Sequence, residues 1–285
     1  MIDLHAHTNA SDGSLAPAEL VDRAVALGLE ALAICDHDTF AGYDEAVPLA
    51  RQAGLDLVCA LELSTKMPRP GKPKGRSVHV LGYFLWEPPP QDFREWLGEL
   101  QAARRDRNRR LVDKLQSLGV DIRLEEVEAL GRTLAGRPHF AQILVRKGYV
   151  STVQQAFDVY LDESAKAYVD RKEPSFIEGV RRILDAGGLP SLAHPLRLSK
   201  SKGGRLDELI GDMVDAGLRG IEVFYSEHSS EDVSRFQSFA QRYGLAITGG
   251  SDFHGDTKPG IELGTGSNGN LAIPRELLDR LRANR

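Results

Sequence analysis

Cysteine is scarce. The 285 residues hold only Cys35 and Cys59, each in or beside an apolar run of strand length. Two buried free thiols suit a reducing compartment, and they leave no disulfide framework to staple a small fold. No apolar run approaches the ~20 residues of a membrane span. Positive charge is not in excess, since 36 Lys and Arg against 41 Asp and Glu give a net charge of −5. A global basic field for nucleic acid is therefore absent, and an anionic substrate needs local cations or metal ions. The opening "MIDL" lacks the pattern of a signal peptide, so a cytoplasmic location is expected. No serine or cysteine stands in a nucleophile motif, and no internal repeat or low-complexity tract is evident. What remains, 41% hydrophobic and 27% charged residues, is the composition of an ordinary globular enzyme, long enough for a barrel with an insertion.

Strand-length apolar runs fall at 2–4, 31–35, 57–61, 78–81, 189–193, 220–224 and 245–248. Helical patterns separate most of them. "PAELVDRAVALG" puts Leu20, Ala24 and Leu27 on one face, with Pro17 in the first turn and Gly28 at the end. "PSFIEGVRRILDAGG", "RLDELIGDMVDAG" and "SSEDVSRFQSFAQRYG" repeat the scheme, and "IPRELLDRLRANR" reads as a closing helix. The alternation predicts parallel strands with helices outside, an α/β barrel or doubly wound sheet. Two stretches break the rhythm. The proline-bearing link between 62 and 78 reads as a loop. From 91 to 168 the strands vanish, and a long helix pattern followed by "RPHFAQILVRKGYV" and "STVQQAFDVYL" predicts an all-helical insertion between strands four and five. The organisation expected is thus a barrel of residues 1–90 and 169–285 carrying a helical insertion, 91–168.

The informative residues lie near strand ends. His5 and His7, spaced i and i+2, share one face of the first strand if it reaches them. Asp12 follows. Asp36-His37-Asp38 comes after the second strand, Glu62 ends the third, His79 lies in the fourth, His194 closes the fifth, and Asp252 and His254 follow the seventh. In barrels, the carboxyl ends of the strands converge on one face, where active sites sit. Imidazole and carboxylate without thiolate suit manganese, iron or zinc.

This constellation resembles the PHP (polymerase and histidinol phosphatase) superfamily over the whole chain except the insertion. The resemblance implies a distorted seven-stranded (β/α)7 barrel and two to three divalent ions, manganese first, with iron or zinc as alternatives. It assigns His5, His7, Glu62 and Asp252 to one ion, Glu62 with His79 and His194 to a second, and Asp12, His37 and His254 to a third. Asp36 and Asp38 are expected in structural or orienting roles.

Clustered ions can acidify water and neutralise phosphoryl oxygens, so hydrolysis of a phosphoester by a metal-bound hydroxide is the expected reaction, with Glu62 and Asp252 at its centre. A metal-bound water or His228 could protonate the leaving oxygen. Within the superfamily the opening segment, the insertion and "AHPLR" look most like stand-alone nucleotide phosphoesterases. That implies a small phosphorylated substrate, a nucleoside 3′,5′-bisphosphate or a nucleoside monophosphate. The alternatives are a 5′-3′ exonuclease on short RNA, a histidinol phosphatase, a metal-dependent amide hydrolase and a non-catalytic metal-binding module. Arg137, His139 and Arg197 are the candidate substrate contacts. Of the run Arg104, Arg105, Arg107, Arg109 and Arg110, most is expected on a solvated face, with one or two able to overhang the pocket. No membrane and no obligate protein partner are expected.

Overall fold

The computed structural model describes residues 1–68, 75–131, 134–199 and 206–283. Seven strands form one sheet in sequence order: β1 (Ile2–Ala6), β2 (Ala31–Ile34), β3 (Asp56–Met67), β4 (Arg76–Phe84), β5 (Leu189–Leu192), β6 (Gly220–Tyr225) and β7 (Ala246–Gly250). All seven predicted strands are present. β1, β2 and β5 are buried at every residue, as strands must be when helices cover one face and the barrel interior fills the other.

The sheet curls until its edges nearly meet. His7 N–H donates to Phe253 O at 2.9 Å and Asp252 N–H to His5 O at 2.7 Å, joining the ends of β1 and β7. The buried Asp3 carboxylate reinforces this seam by accepting from Ser251 N–H (2.9 Å), Ser251 Oγ–H (2.5 Å) and Gly264 N–H (2.8 Å). Gly250 permits the approach, because a Cβ there would lie 2.3 Å from His5 N.

Two expectations need correction. The link from 62 to 78 is not a loop: β3 runs on to Met67, β4 begins at Arg76, and the two pair antiparallel from Cys59↔Phe84 to Met67↔Arg76. Residues 69–74 of this link lie outside the described residues. Nor is the alternation all parallel. With no crossover helix between β3 and β4, the chain must double back, and β4 runs antiparallel to both neighbours. His79 lies in the first half of β4, and reversal of that strand brings it to the pole where the other strands exit.

Helices α1 (Pro17–Ala26) and α2 (Ala41–Ala53) cover the first strands. The insertion follows: α3 (Gln91–Ser117), α4 (Leu124–Gly131), α5 (Arg137–Arg146), α6 (Val153–Ala156) and a π turn, Phe157–Leu161. α3 belongs to two cores. Phe93, Trp96, Leu97 and Leu100 pack into the barrel's core with Leu63, Val80 and Phe176, whereas Leu111, Val112 and Leu115 enter a separate core with Phe140, Ile143 and Leu161. α7 (Phe176–Asp185), α8 (Leu196–Ser199), α9 (Leu206–Asp215), α10 (Ser230–Tyr243) and α11 (Arg275–Ala283) complete the outer layer. Cys35 and Cys59 are buried and unpaired. No helix among the described residues is long and apolar enough to cross a membrane.

Candidate metal centre

Six of the eight histidines, with Asp12, Glu62 and Asp252, meet at one pole of the barrel. β1 presents His5 and His7 on one side. The loop after it is fixed by the buried Asp36, which accepts from Thr8 N–H (2.8 Å), Thr8 Oγ–H (2.6 Å) and Ser11 Oγ–H (2.6 Å). This gives Asp36 the structural role expected of it. Asp38 (φ 55°), His194 (φ 30°) and Asp252 (φ 55°) are three of the four non-glycine residues with left-handed backbone among the described residues, all just past strand ends. Strained backbone of this kind persists where surrounding contacts over-determine it.

The fit of an ion can be tested on the donor atoms themselves. Among His5 Nε2, His7 Nε2, Glu62 Oε2 and Asp252 Oδ1, five of six separations fall between 3.1 and 3.4 Å. Four donors each ~2.0–2.1 Å from one ion in a tetrahedron lie about 3.3 Å apart. The four atoms therefore have the spacing of a coordination polyhedron and not of hydrogen bonds. The tautomer agrees: His5 Nδ1–H donates to Glu222 Oε1 at 2.8 Å, which leaves the Nε2 lone pair facing the centre.

A second group joins His7, Asp12, His37 and His254. His254 Nδ1–H donates to Asp252 O at 2.9 Å and aims Nε2 at Asp12 Oδ1, 3.3 Å away, while His37 Nε2 lies 3.6 Å from Asp12 Oδ2. A third group centres on Glu62: His79 Nδ1 and His194 Nε2 each reach its Oε1 at 2.7 Å, and His37, with Nδ1 3.5 Å from Oε2, clusters with Glu62 and His79. Glu62 belongs to two of the three groups and touches the Asp12 group through His7 and His37.

Charge is balanced by proximity. Burial penalises the Glu62 carboxylate, yet His37, His79 and His5 together hold it well below the usual carboxylate range. Burial likewise opposes ionised Asp252, and Lys258, followed by His5, overcomes it. Burial drives His37 down to about 4. Burial opposes a charged His7, and the neighbouring Asp252 and Glu62 carboxylates outweigh it and push the group up, to about 10.

Three participants escaped the sequence reading. Glu222, fully buried on β6, accepts from His5 Nδ1–H with one oxygen and from His194 N–H (2.7 Å) with the other. Tyr225 O–H donates to Asp252 Oδ2 at 2.9 Å, and Lys258 Nζ donates to the same oxygen at 2.8 Å. Strand position gives a signal for Glu222, a carboxylate inside the apolar run "GIEVFY"; nothing local marks Lys258.

Beside the metal donors opens a cavity of about 610 Å³ between barrel and insertion. Arg137 and Arg197 line it. Arg197 Nη2 donates to Tyr225 Oη at 2.9 Å and lies 3.4 Å from Asp252 Oδ2. His139 does not line it: buried, it accepts from Gly136 N–H through Nδ1 at 2.9 Å and so caps the start of α5. His228 also departs from expectation. The turn His228 N–H to Tyr225 O swings its ring onto Phe236 (4.7 Å between centroids), and Nδ1–H donates to Val223 O at 2.8 Å. It lines no part of the cavity and is not placed to protonate a leaving group there. Arg104 and Arg107, by contrast, leave the solvated side of α3 and are buried in the cavity wall.

A seven-stranded barrel with this histidine and carboxylate cluster at its pole defines a metal-dependent phosphoesterase, and known proteins agree. The PHP domain model matches residues 3–170, and the chain belongs to that family. A 5′-3′ exoribonuclease of Haemophilus influenzae is 35% identical over 252 residues, spanning 88% of this chain and 89% of that protein. A 3′,5′-nucleoside bisphosphate phosphatase of Chromobacterium violaceum is 32% identical over 267 residues, 92% and 90% of the two chains. A crystal structure of a candidate metal-dependent phosphoesterase from Bifidobacterium adolescentis matches with a TM-score of 0.84 at 31% identity, covering 99% of this chain and 95% of that one.

Proposed function

We propose that this phosphoesterase releases phosphate from nucleotides, nucleoside 3′,5′-bisphosphates or monophosphates, with manganese the first candidate metal and iron or zinc the alternatives. The observation that carries this reading is the cavity's mixed lining. The barrel contributes the metal donors Asp12, Glu62 and Asp252, the helices between β4 and β5 contribute Arg104, Arg107, Arg137 and Phe157, and Tyr168 and Arg171 follow those helices. The donors suit the reacting phosphoryl group, the cations and rings the remaining anion and the base.

Divalent ions held by His5, His7, Glu62 and Asp252, and by the neighbouring His79, His194, His37, Asp12 and His254, would supply Lewis-acid chemistry to water and phosphoryl oxygens. The chain's own contribution is positioning. Glu62 spans two donor groups and fixes their separation. Asp252 divides its oxygens, Oδ1 toward the histidines and Oδ2 toward Lys258 and Tyr225. Lys258 and Arg197 thereby present positive charge where phosphoryl oxygens would lie.

The test is a phosphate-release screen with manganese over mononucleotides, nucleoside bisphosphates, 5′-phosphorylated oligonucleotides and histidinol phosphate. Release from nucleotides well above histidinol phosphate is the expected result, and the reverse order would replace the reading. A second reading, exonuclease action on short RNA, is favoured by the similarity to the Haemophilus influenzae protein. A rate that rises with chain length from mononucleotide to tetranucleotide would support it over the first.

A further inference from the structure

Arg197 and Lys258 stand between two carboxylates of different kinds. Asp252 is 2% exposed and committed through Oδ1 to the histidine donors. Its Oδ2 accepts from Lys258 Nζ at 2.8 Å and Tyr225 O–H at 2.9 Å, with Arg197 Nη2 3.4 Å away. Glu227, in the turn after β6, has a side chain 37% exposed and belongs to none of the donor groups. Its Oε1 lies 3.5 Å from Lys258 Nζ, 3.8 Å from Arg197 Nη2 and 3.3 Å from Tyr225 Oη. Tyr225 has one proton, and the shorter bond to Asp252 holds it. Charge alone therefore keeps Glu227 in place, at distances too long for good hydrogen bonds. The cations do not depend on it, because Tyr225 Oη accepts from Arg197 Nη2 at 2.9 Å and from Lys258 Nζ at 3.2 Å. Both cations line the cavity; Glu227 does not.

Two carboxylates against two cations leave this corner neutral. Asp252 is claimed by the donor group around it, so Glu227 is the counter-charge free to leave. A phosphate dianion carries more charge and makes shorter bonds to guanidinium and ammonium than Glu227 does. We propose that Glu227 is an exchangeable counter-ion for Arg197 and Lys258. It neutralises them in the empty site, gives way to phosphoryl oxygens when a phosphoester enters, and competes for them again as inorganic phosphate leaves. Its charge therefore limits how tightly the product is held, in a corner where release can set the turnover rate. This rests on the reading that Arg197 and Lys258 face phosphoryl oxygens, and deepens it by naming the group that tunes them.

Calorimetric titration of the metal-loaded enzyme with inorganic phosphate tests this in the wild type, Glu227→Gln, Glu231→Gln and Arg197→Met. Glu227→Gln should bind phosphate about three- to tenfold more tightly, with metal per chain unchanged. Local damage has the opposite sign, a loss of affinity. The gain should shrink as salt rises, because the group is exposed and screened. Glu231, exposed four residues further on, has no ion pair with either cation among the described residues, and its variant should bind phosphate as the wild type does. A gain below threefold in Glu227→Gln, or any loss, overturns the proposal. An equal gain in Glu231→Gln overturns it too, by reducing the effect to net charge. Arg197→Met separates this proposal from the reading beneath it. If that variant binds phosphate as tightly as the wild type, the cation does not face the phosphoryl group and both fall. If it binds weakly while Glu227→Gln is unchanged, only the counter-ion role falls.

Discussion

Glu222 accepts the Nδ1–H of His5 at 2.8 Å and, with its other oxygen, the backbone N–H of His194 at 2.7 Å. One buried carboxylate thus sets the ring of one metal donor and the strained backbone of another. Both partners are donors. Glutamine offers only one acceptor, so in Glu222→Gln one bond must become a clash, or His5 must move its proton to Nε2, the atom facing the ion. We expect metal affinity to fall about ten- to a hundred-fold. Competition with a chelator of known affinity measures it, and unchanged affinity would show that Glu222 merely fills space.

Glu62 touches His79, His194, His5, His7 and His37 with its two oxygens. Glu62→Gln should lower the rate at least as much as any other single ligand change, and it should lower the metal bound per chain as well. Elemental analysis alongside turnover separates these effects. Near-normal turnover at full metal content would sink the bridging role.

The barrel was legible because apolar runs mark its strands and most candidate donors follow such runs, although Glu62 and His79 lie inside β3 and β4. The hairpin was not. Prolines between 62 and 78 signal a turn, but how far β3 and β4 extend depends on pairing with each other, which local sequence does not encode. His139 and His228 show the same limit. Both are histidines near the site in sequence, yet a helix start claims one and Phe236 packs against the other. Glu222 and Arg107 were hidden for the opposite reason: an acid in a strand and one arginine of five on a helix look ordinary until their surroundings are known.

Acid should loosen the closing helix first. Asp56 on β3 receives Arg282 Nη1 and Arg275 Nη2, each at 2.6 Å, and these bonds, Arg282 foremost, hold its carboxyl below the usual range. A carboxyl depressed in the folded state stabilises fully above its unfolded pKa of about 3.9, and that stability is lost as pH falls through the folded value. Asp56→Asn should therefore cost about 1 kcal/mol at pH 7, with the difference from wild type shrinking below about pH 4. Urea midpoints at pH 7 and pH 3 check this, and a gap that widened in acid would contradict the sign.

Asp38 and Arg104 join the two cores. Asp38 follows the metal donor His37, and its Oδ1 accepts from Ser64 N–H at 2.7 Å. Its Oδ2 pairs with Arg104 of α3, while Arg171 stands farther off at 3.5 Å. Gln101 Nε2 donates to the Asp38 carbonyl at 2.9 Å from the same helix. Removing one member leaves the other charge buried with a weaker partner, so Arg104→Ala should destabilise the chain by about 3 kcal/mol. The pair itself is worth much less than that, since its desolvation is spared when both charges go. Arg104→Met combined with Asp38→Asn should accordingly cost less than the sum of the two single changes, and a double-mutant cycle on urea midpoints would show this as a coupling of about 1 kcal/mol or more. If the single changes simply add, the contact between insertion and metal loop rests on the apolar packing of Phe93, Trp96 and Leu100, and the ion pair is incidental to it.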